Sequence, residues 1–275
     1  MEKRRLGNTG LEVSVIGFGC GLVGGIMIKG SAAEQARAVA RALELGINYF
    51  DTAPHYGDGA SERNLGLALK SAHAGAALVG TKTWVKVPEG GSLAQAIAAY
   101  ITASIETSLR LLGRNHVDLF QLHNVLGMRR AGDLLDPATV LDIVIPVFER
   151  LQREGKARAF GITGLGETAA IRTIVDSGPI ATVQVVYNLL NDSAGRAMPA
   201  GYPAQDYGQL LPRLQARGVA ALGIRALAGG ALSSTSDRHP LGLAAVPPLG
   251  SGASYDADVR RARRLQPLVD EGHAA

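Results

Sequence analysis

The sequence predicts an α/β protein, a (β/α)8 barrel of the TIM type in which only seven strand–helix units are evident. Three observations predict it. Helix-like segments end repeatedly at glycine, at Gly46, Gly75, Gly113, Gly155, Gly178 and Gly218. A short apolar, often β-branched run follows each of them, without the polar alternation of a half-exposed strand, which suits strands covered on both faces. The alternation of helix and strand repeats along the whole chain, as in a parallel sheet wound in one hand. The 35 glycines among 275 residues are nearly double the ordinary share of about 7 %, so many tight turns are expected.

The elements follow in order. RRLGNTGLEVS, with Asn8-Thr9-Gly10 at its centre, reads as a hairpin placed as a plug under the barrel. VSVIGFG (13–19) is the first barrel strand, followed by INYF (47–50), ALVGTK (77–82), VDLFQLH (117–123), ARAFGIT (157–163), ATVQVVYN (181–188) and VAALGIR (219–225). Ser31 with Glu34 forms a capping box before AAEQARAVARALELG. Ser92 opens a helix in which Leu93, Ile97, Ile101, Ile105 and Leu109 recur on one face. Pro137 suits a first helical turn, whereas Pro146 is expected to kink its helix. Each terminating glycine is expected in the left-handed conformation that ends a helix without steric cost.

GFGCGLVGG (17–25) reads as a barrel loop, because no acidic residue closes a following strand as a dinucleotide fingerprint requires. After Arg225 comes a Gly-, Ser- and Pro-rich loop (226–253), in which LGLAAVPPLG is interrupted by paired prolines. A helix then runs from Asp258 to Val269 and stops at Gly272. With no eighth strand, strands one and seven are expected to keep unpaired edges, which invite partner pairing. The expectation is one barrel domain over 1–275, incomplete at its C-terminal side, either because the sequence is cut short or because another chain fills the gap.

Lys+Arg 28 against Asp+Glu 24 leaves a net charge of +4, too mild to demand nucleic acid or an anionic membrane. The single cysteine, Cys20, excludes a disulfide framework within the chain and a Cys-rich metal site, and no metal is expected. No apolar run reaches the length of a membrane span. MEKRRLGNTG has no apolar stretch behind its basic residues, so it is not a secretory signal, and a cytoplasmic protein is expected. Oligomeric state is left open.

In such barrels chemistry sits at the C-terminal ends of the strands. There the sequence places Asp51 after INYF, Tyr56 in the loop DTAPHYGDGASE, Lys82 closing ALVGTK and His123 closing VDLFQLH. Each has a bland explanation: a loop cap, a packing aromatic, a solvated charge, a hydrogen-bonded core histidine. Together they fall at one end of three adjacent strands, where four such accidents must coincide. A tyrosine of ordinary pKa about 10 is a poor acid, a nearby lysine is expected to lower it, an aspartate would hold the lysine, and a histidine would orient a carbonyl oxygen. Such a site protonates oxygen while a cofactor delivers hydride to carbon.

The opening RRLGNTGLEVSVIGFGCG, the block GINYFDTAPHYGDGASERNLGLAL, TKTW, VDLFQLHN and VQVVYNLL resemble the aldo-keto reductases, with wording nearest the sugar- and aldose-dehydrogenase-like branch. The likeness runs from near residue 3 to at least residue 232, and the block around Asp51 and Tyr56 is its most specific part. It implies a cytosolic oxidoreductase using NADP(H), with NAD as the lesser option, acting on a small carbonyl or alcohol. It implies that Asp51, Tyr56, Lys82 and His123 are the catalytic tetrad, with Tyr56 as proton donor. Gln184 would bond the nicotinamide carboxamide, and Gly19, Cys20, Gly21, Asp51, Thr163, Arg225, Leu227, Gly229 and Gly230 would line the cofactor.

The chain departs from the family's pattern at several places. Thr163-Gly164 stands where the family has Ser-Asn, and no aromatic follows strand seven to stack on the nicotinamide. The adenosine-binding C-terminal segment has no counterpart; the run Arg260-Arg261-Ala262-Arg263-Arg264 is a substitute only if it is not a solvated helix face. Two further readings stay open: a non-catalytic dinucleotide-binding or interaction protein, and a barrel aldolase forming a Schiff base on Lys82. Substrate identity is expected to be set by loops 124–136, 189–206 and 226–253.

Overall fold

The computed structural model describes residues 1–87, 90–233, 235, 237–265 and 267. The chain begins with an antiparallel hairpin of β1 (Lys3–Arg5) and β2 (Glu12–Ser14). Its buried Leu6, Leu11 and Val13 pack on Tyr49, Leu119 and Ala159, which point inward from the strands. The hairpin thus closes the bottom of the strand layer, as the plug reading expects.

Seven parallel strands follow, each hydrogen-bonded to the next in chain order, and curl into a half-barrel. They are β3 (Phe18–Gly19), β4 (Tyr49–Asp51), β5 (Leu78–Thr83), β6 (Val117–Leu122), β7 (Ala157–Thr163), β8 (Thr182–Val186) and β9 (Ala220–Ile224). Among the described residues no strand pairs with the outer edge of β3 or β9. A groove of ≈ 790 Å³ occupies that seam, reaching from the hairpin to Asp51 and Gln184.

The run 13–19 is not one strand. Ser14 belongs to the hairpin and Phe18 to the half-barrel, and Val15 and Ile16 between them are exposed. Asn48 holds the break, accepting from the Ser14 backbone N–H at 2.6 Å while its own N–H donates to the Ser14 hydroxyl at 3.1 Å. The apolar run hides this because its side chains serve two different sheets.

The helices are α1 (Ile26–Lys29), α2 (Ala32–Glu44), α3 (Ala60–Ser71), α4 (Leu93–Leu112), α5 (Pro137–Thr139), α6 (Ile145–Arg153), α7 (Thr168–Ser177), α8 (Leu210–Ala216) and α9 (Tyr255–Arg263). The Ser31–Glu34 capping box is complete, and α4 buries Ile97, Ile101 and Ile105 on one stripe. Ahead of Pro146 the helix widens into a π turn, Val140–Val144, rather than a simple kink. There the Ile145 N–H reaches back five residues to the Val140 carbonyl, just ahead of the position where proline has no N–H to donate.

Gly46, Gly113, Gly155 and Gly218 are left-handed as expected. Gly178 is extended, and Gly75 is not left-handed, because α3 stops earlier and His73 (φ 52) takes that position. Among its described residues, loop 226–253 holds 3-10 turns over Ala228–Ser233, interrupted at Gly229 and Gly230, and no strand. The predicted continuation of the last helix to Val269 and its stop at Gly272 lie outside the described residues. Among the described residues no helix is long and apolar enough to cross a membrane.

One glycine matters to the position of the site. A Cβ on Gly161 would overlap the hydroxyl and carbonyl oxygens of Thr182 on the neighbouring strand, so β7 and β8 approach closely only because the side chain is absent. That approach brings Thr163 beside Gln184 two residues further along the same pair. Gly161→Ala is expected to lower unfolding stability by about 1–3 kcal/mol through overpacking. A urea midpoint unchanged in that variant would show that the two strands have room to spare.

Candidate active site

The strand periodicity sets the site. Tyr49 and Asp51 are two apart on β4 and share its inner face, and Lys82 on β5 lies in register with Gln121 on β6. At the C-terminal ends of these strands the four predicted residues meet. Lys82 Nζ donates to Asp51 Oδ2 at 2.6 Å, to the Thr52 carbonyl at 2.8 Å and to Tyr56 Oη at 3.3 Å. All three donors of the ammonium are thereby used in a position with no solvent exposure. Asp51 is held in turn by Tyr49 Oη at 3.2 Å and Gln184 Nε2 at 3.0 Å, both donating to Oδ1. The Tyr56 and His123 rings meet edge to face, with centroids 6.2 Å apart at 87°.

Burial and charge set the protonation states. Burial would push the Lys82 ammonium down, but Asp51 and Tyr56 outweigh it, and its pKa stands above the ordinary lysine value. Tyr56 is also raised: burial dominates, Lys82 opposes it, and Asp51 adds to the rise. This corrects the expectation that Lys82 brings the phenol below its ordinary value. Withdrawing a phenolate from water costs more here than one ammonium returns when that ammonium is already paired with a carboxylate. His123 is pushed down to about 2, first by burial and then by Lys82 and His55, so its ring is neutral. Its Nδ1 is buried without a hydrogen-bond partner.

Three residues join the site that the sequence reading did not assign. Tyr49 supports Asp51; its inward period-two spacing from Asp51 was a usable signal. His55 packs edge-on against His123 at 4.6 Å and Tyr56 at 4.9 Å between ring centroids, and Trp84 lies 5.9 Å from His123. Adjacency to Tyr56 and the motif TKTW pointed to both. Trp84 Nε1 donates to Asp133 at 3.3 Å, and Lys86 Nζ meets the same carboxylate at 2.7 Å, so loop 124–136 is tied beside the aromatic cluster.

Gly19, Gly21, Asp51, Thr163, Gln184, Arg225, Leu227, Gly229 and Gly230 line one cavity of ≈ 780 Å³ with Tyr56 and His123. Cys20 does not. Its side chain is buried, its thiol is pushed up by burial, and only its backbone serves the site, through an N–H to the Asp51 carbonyl at 2.8 Å. Consecutive residues at a strand end alternate in direction, and Cys20 points to the packed side.

The cavity suits a dinucleotide. Its volume lies within the usual range for cofactor pockets. Arg225 and Arg238 both line it, and neither pairs with a carboxylate among the described residues; they donate to carbonyl oxygens and, from Arg238, to the Tyr255 hydroxyl. A Cβ on Gly229 would stand 2.9 Å from Arg225 Nη1, and one on Gly230 2.7 Å from Arg238 Nη1, so these glycines make room for the guanidinium groups. Thr163 donates to Gln184 Oε1 at 3.4 Å. At Gly164 a Cβ would meet the Gln184 carbonyl at 2.7 Å, so the Asn amide of the family's pattern has no space here. None of Arg260, Arg261, Arg263 and Arg264 lines the cavity. Arg261 instead reaches the Leu190 carbonyl at 2.6 Å and Asp258 at 3.3 Å.

Comparison with known proteins supplies the family. The aldo/keto reductase family model matches residues 15–247. L-galactose dehydrogenase of Arabidopsis thaliana is 33 % identical over 248 residues, covering 87 % of this chain and 70 % of its own. The aldo-keto reductase YhdN of Bacillus subtilis is 31 % identical over 191 residues, covering 69 % of this chain but only 54 % of its own length. Among solved structures, the holo form of aldo-keto reductase AKR11C1 from Bacillus halodurans superposes with a TM-score of 0.67 at 27 % identity, over 96 % of this chain and 76 % of that one. The match spans most of the chain and both halves of the site, and the chain belongs to the aldo/keto reductase family of NADP(H)-dependent oxidoreductases.

Proposed function

We propose that this chain interconverts a small aldehyde, ketone or aldose and the matching alcohol, with Tyr56 giving or taking the proton. The observation that carries this is the ammonium of Lys82 held simultaneously by Asp51, the Thr52 carbonyl and Tyr56 Oη. The likeness to L-galactose dehydrogenase favours an aldose as substrate.

NADPH bound beside Gln184 and Thr163 would supply hydride to the carbonyl carbon. Arg238 would meet the phosphates, and the Gly229-Gly230 turn would let it approach. Tyr56 Oη would hydrogen-bond the substrate oxygen and donate its proton as negative charge builds there. Lys82 stabilises the phenolate left behind, and Asp51 keeps Lys82 charged in a dry position. Neutral His123 polarises the same oxygen without competing as an acid. His55 and Trp84 pack against the His123 ring and hold it in place.

The pH dependence follows from the two tyrosine and histidine states. Reduction needs Tyr56 protonated. Its pKa is raised, so the proton is present through neutral pH and is lost only as pH rises through the phenol's titration. His123 takes a proton only near pH about 2. Reductive kcat/KM is therefore expected to stay level from about pH 6 to the ordinary phenol value of about 10 and to fall only above it. A limb centred near pH 6.5 would show a titrating imidazole and overturn the neutral His123.

The test of the function is a panel of aldehydes, ketones and aldoses with NADPH, and the matching alcohols with NADP+, followed by nicotinamide absorbance. Turnover of one or more carbonyls at well above the background rate is expected. The open seam between β3 and β9 favours a second reading, dinucleotide binding without turnover, and binding with no oxidation or reduction across the panel would select it. Borohydride trapping of a substrate imine on Lys82 would instead favour aldol chemistry.

A further inference from the structure

We infer that Arg225 makes the site select the reduced over the oxidised dinucleotide, so that the chain is biased towards carbonyl reduction. The inference rests on the NADP(H) reading of the site above, and it concerns which redox form is held more tightly.

Arg225 follows the last residue of β9 and, like Arg238, lines the cavity with no carboxylate partner among the described residues; of the two it is the one that stands at the end of a barrel strand, as Thr163 does. Its Nη1 donates to the Pro247 carbonyl at 3.2 Å, a neutral acceptor. Its backbone is left-handed, with φ 58, an uncommon state for a residue with a long side chain. Two contacts enforce it: the Arg225 carbonyl accepts from Asn188 Nδ2 at 3.0 Å and from the Ala228 N–H at 2.7 Å. The strain is thus imposed by the surrounding chain, and it aims a guanidinium into the cavity.

The charges around the reacting centre otherwise cancel. Asp51 and Lys82 form a pair at 2.6 Å, and Tyr56 and His123 are neutral. Any hydride-donating ring has to lie within contact of a carbon whose oxygen reaches Tyr56, and Arg225 lines the same cavity as Tyr56, Thr163 and Gln184, from the end of β9. The nicotinamide ring carries one positive charge when oxidised and none once it has accepted hydride. A half-buried guanidinium beside it therefore repels only the oxidised form. The phosphates carry the same charge in both forms, so any attraction between them and Arg225 or Arg238 cancels from the ratio of the two affinities.

The experiment is direct binding, by calorimetry or ligand fluorescence, of NADPH, NADP+ and 2′-phospho-ADP-ribose (which lacks the nicotinamide) to the full chain. The variants are Arg225→Asn, whose side chain tolerates the left-handed backbone, Arg225→Gln, and Arg225→Lys. The wild type is expected to bind NADPH more tightly than NADP+. In Arg225→Asn or Arg225→Gln the ratio of the two dissociation constants is expected to fall by about tenfold, as removal of one nearby charge predicts. Arg225→Lys, which keeps the charge, is expected to hold the wild-type ratio within about threefold. Equal weakening of all three ligands in the neutral variants would make Arg225 a phosphate anchor and overturn the inference, as would an unchanged ratio. Circular dichroism identifies a variant that fails to fold, and the other neutral variant then decides. If the wild type binds neither dinucleotide, the cofactor reading itself fails, an outcome distinct from an unchanged ratio.

Discussion

Tyr56→Phe is expected to lower kcat for carbonyl reduction by about 10²–10⁴-fold while the dissociation constant for NADPH stays within about threefold. The ring of Tyr56 packs against His55 at 4.9 Å and faces His123 at 6.2 Å, and phenylalanine keeps both contacts. What is lost is one oxygen, the atom 3.3 Å from Lys82 Nζ. The variant therefore separates proton donation from packing, which replacement by alanine would not do. Tyr56 is the only phenol that Lys82 contacts among the described hydrogen bonds, so no neighbouring hydroxyl is placed to substitute. Wild-type turnover in Tyr56→Phe would refute the assignment of the proton donor.

Lys82→Met is expected to damage both activity and stability, and a second substitution separates the two. Asp51 has a side chain only 19 % exposed, and its charge is balanced by an ammonium with no exposure at all. Removing the ammonium leaves a partly buried carboxylate unpaired, a loss towards the lower end of about 3–5 kcal/mol because Tyr49 and Gln184 still donate to it. Turnover is expected to fall by at least about a hundredfold, since the phenolate of Tyr56 loses its counter-charge. In the double variant Asp51→Asn/Lys82→Met, the urea midpoint is expected to recover much of the loss while turnover stays low. A double variant as unstable as Lys82→Met would mean that the damage is steric. Recovery of turnover together with stability would mean that Lys82 serves folding alone.

Much of this molecule was legible before any coordinates. The glycine-ended helices and unalternating apolar runs specified parallel strands, and the positions of Asp51, Tyr56, Lys82 and His123 at strand ends specified where they would meet. The Ser31–Glu34 capping box and the inward stripe of Ile97, Ile101 and Ile105 were equally readable, because each depends on residues within a few positions of one another. Local pattern was less informative where one segment serves two neighbours. The run 13–19 is uniformly apolar yet divides between the hairpin and the half-barrel, and Cys20 lies in a loop that faces the cavity while its own side chain faces the core.

The sequence by itself determined the family and the order of the strands, and it pointed to four residues that meet at one end of them, because periodicity and motif fix which side chains share a face. Only the tertiary structure decided their chemical states and their company. The rise in the Tyr56 pKa, the neutrality of His123 and the exposed edges of β3 and β9 depend on how much water the folded chain excludes and which strands it brings together. Arg238 shares a cavity with Gly21, more than two hundred positions away, for the same reason. Desolvation and long-range contact are properties of the closed chain, and no window of neighbouring residues contains them.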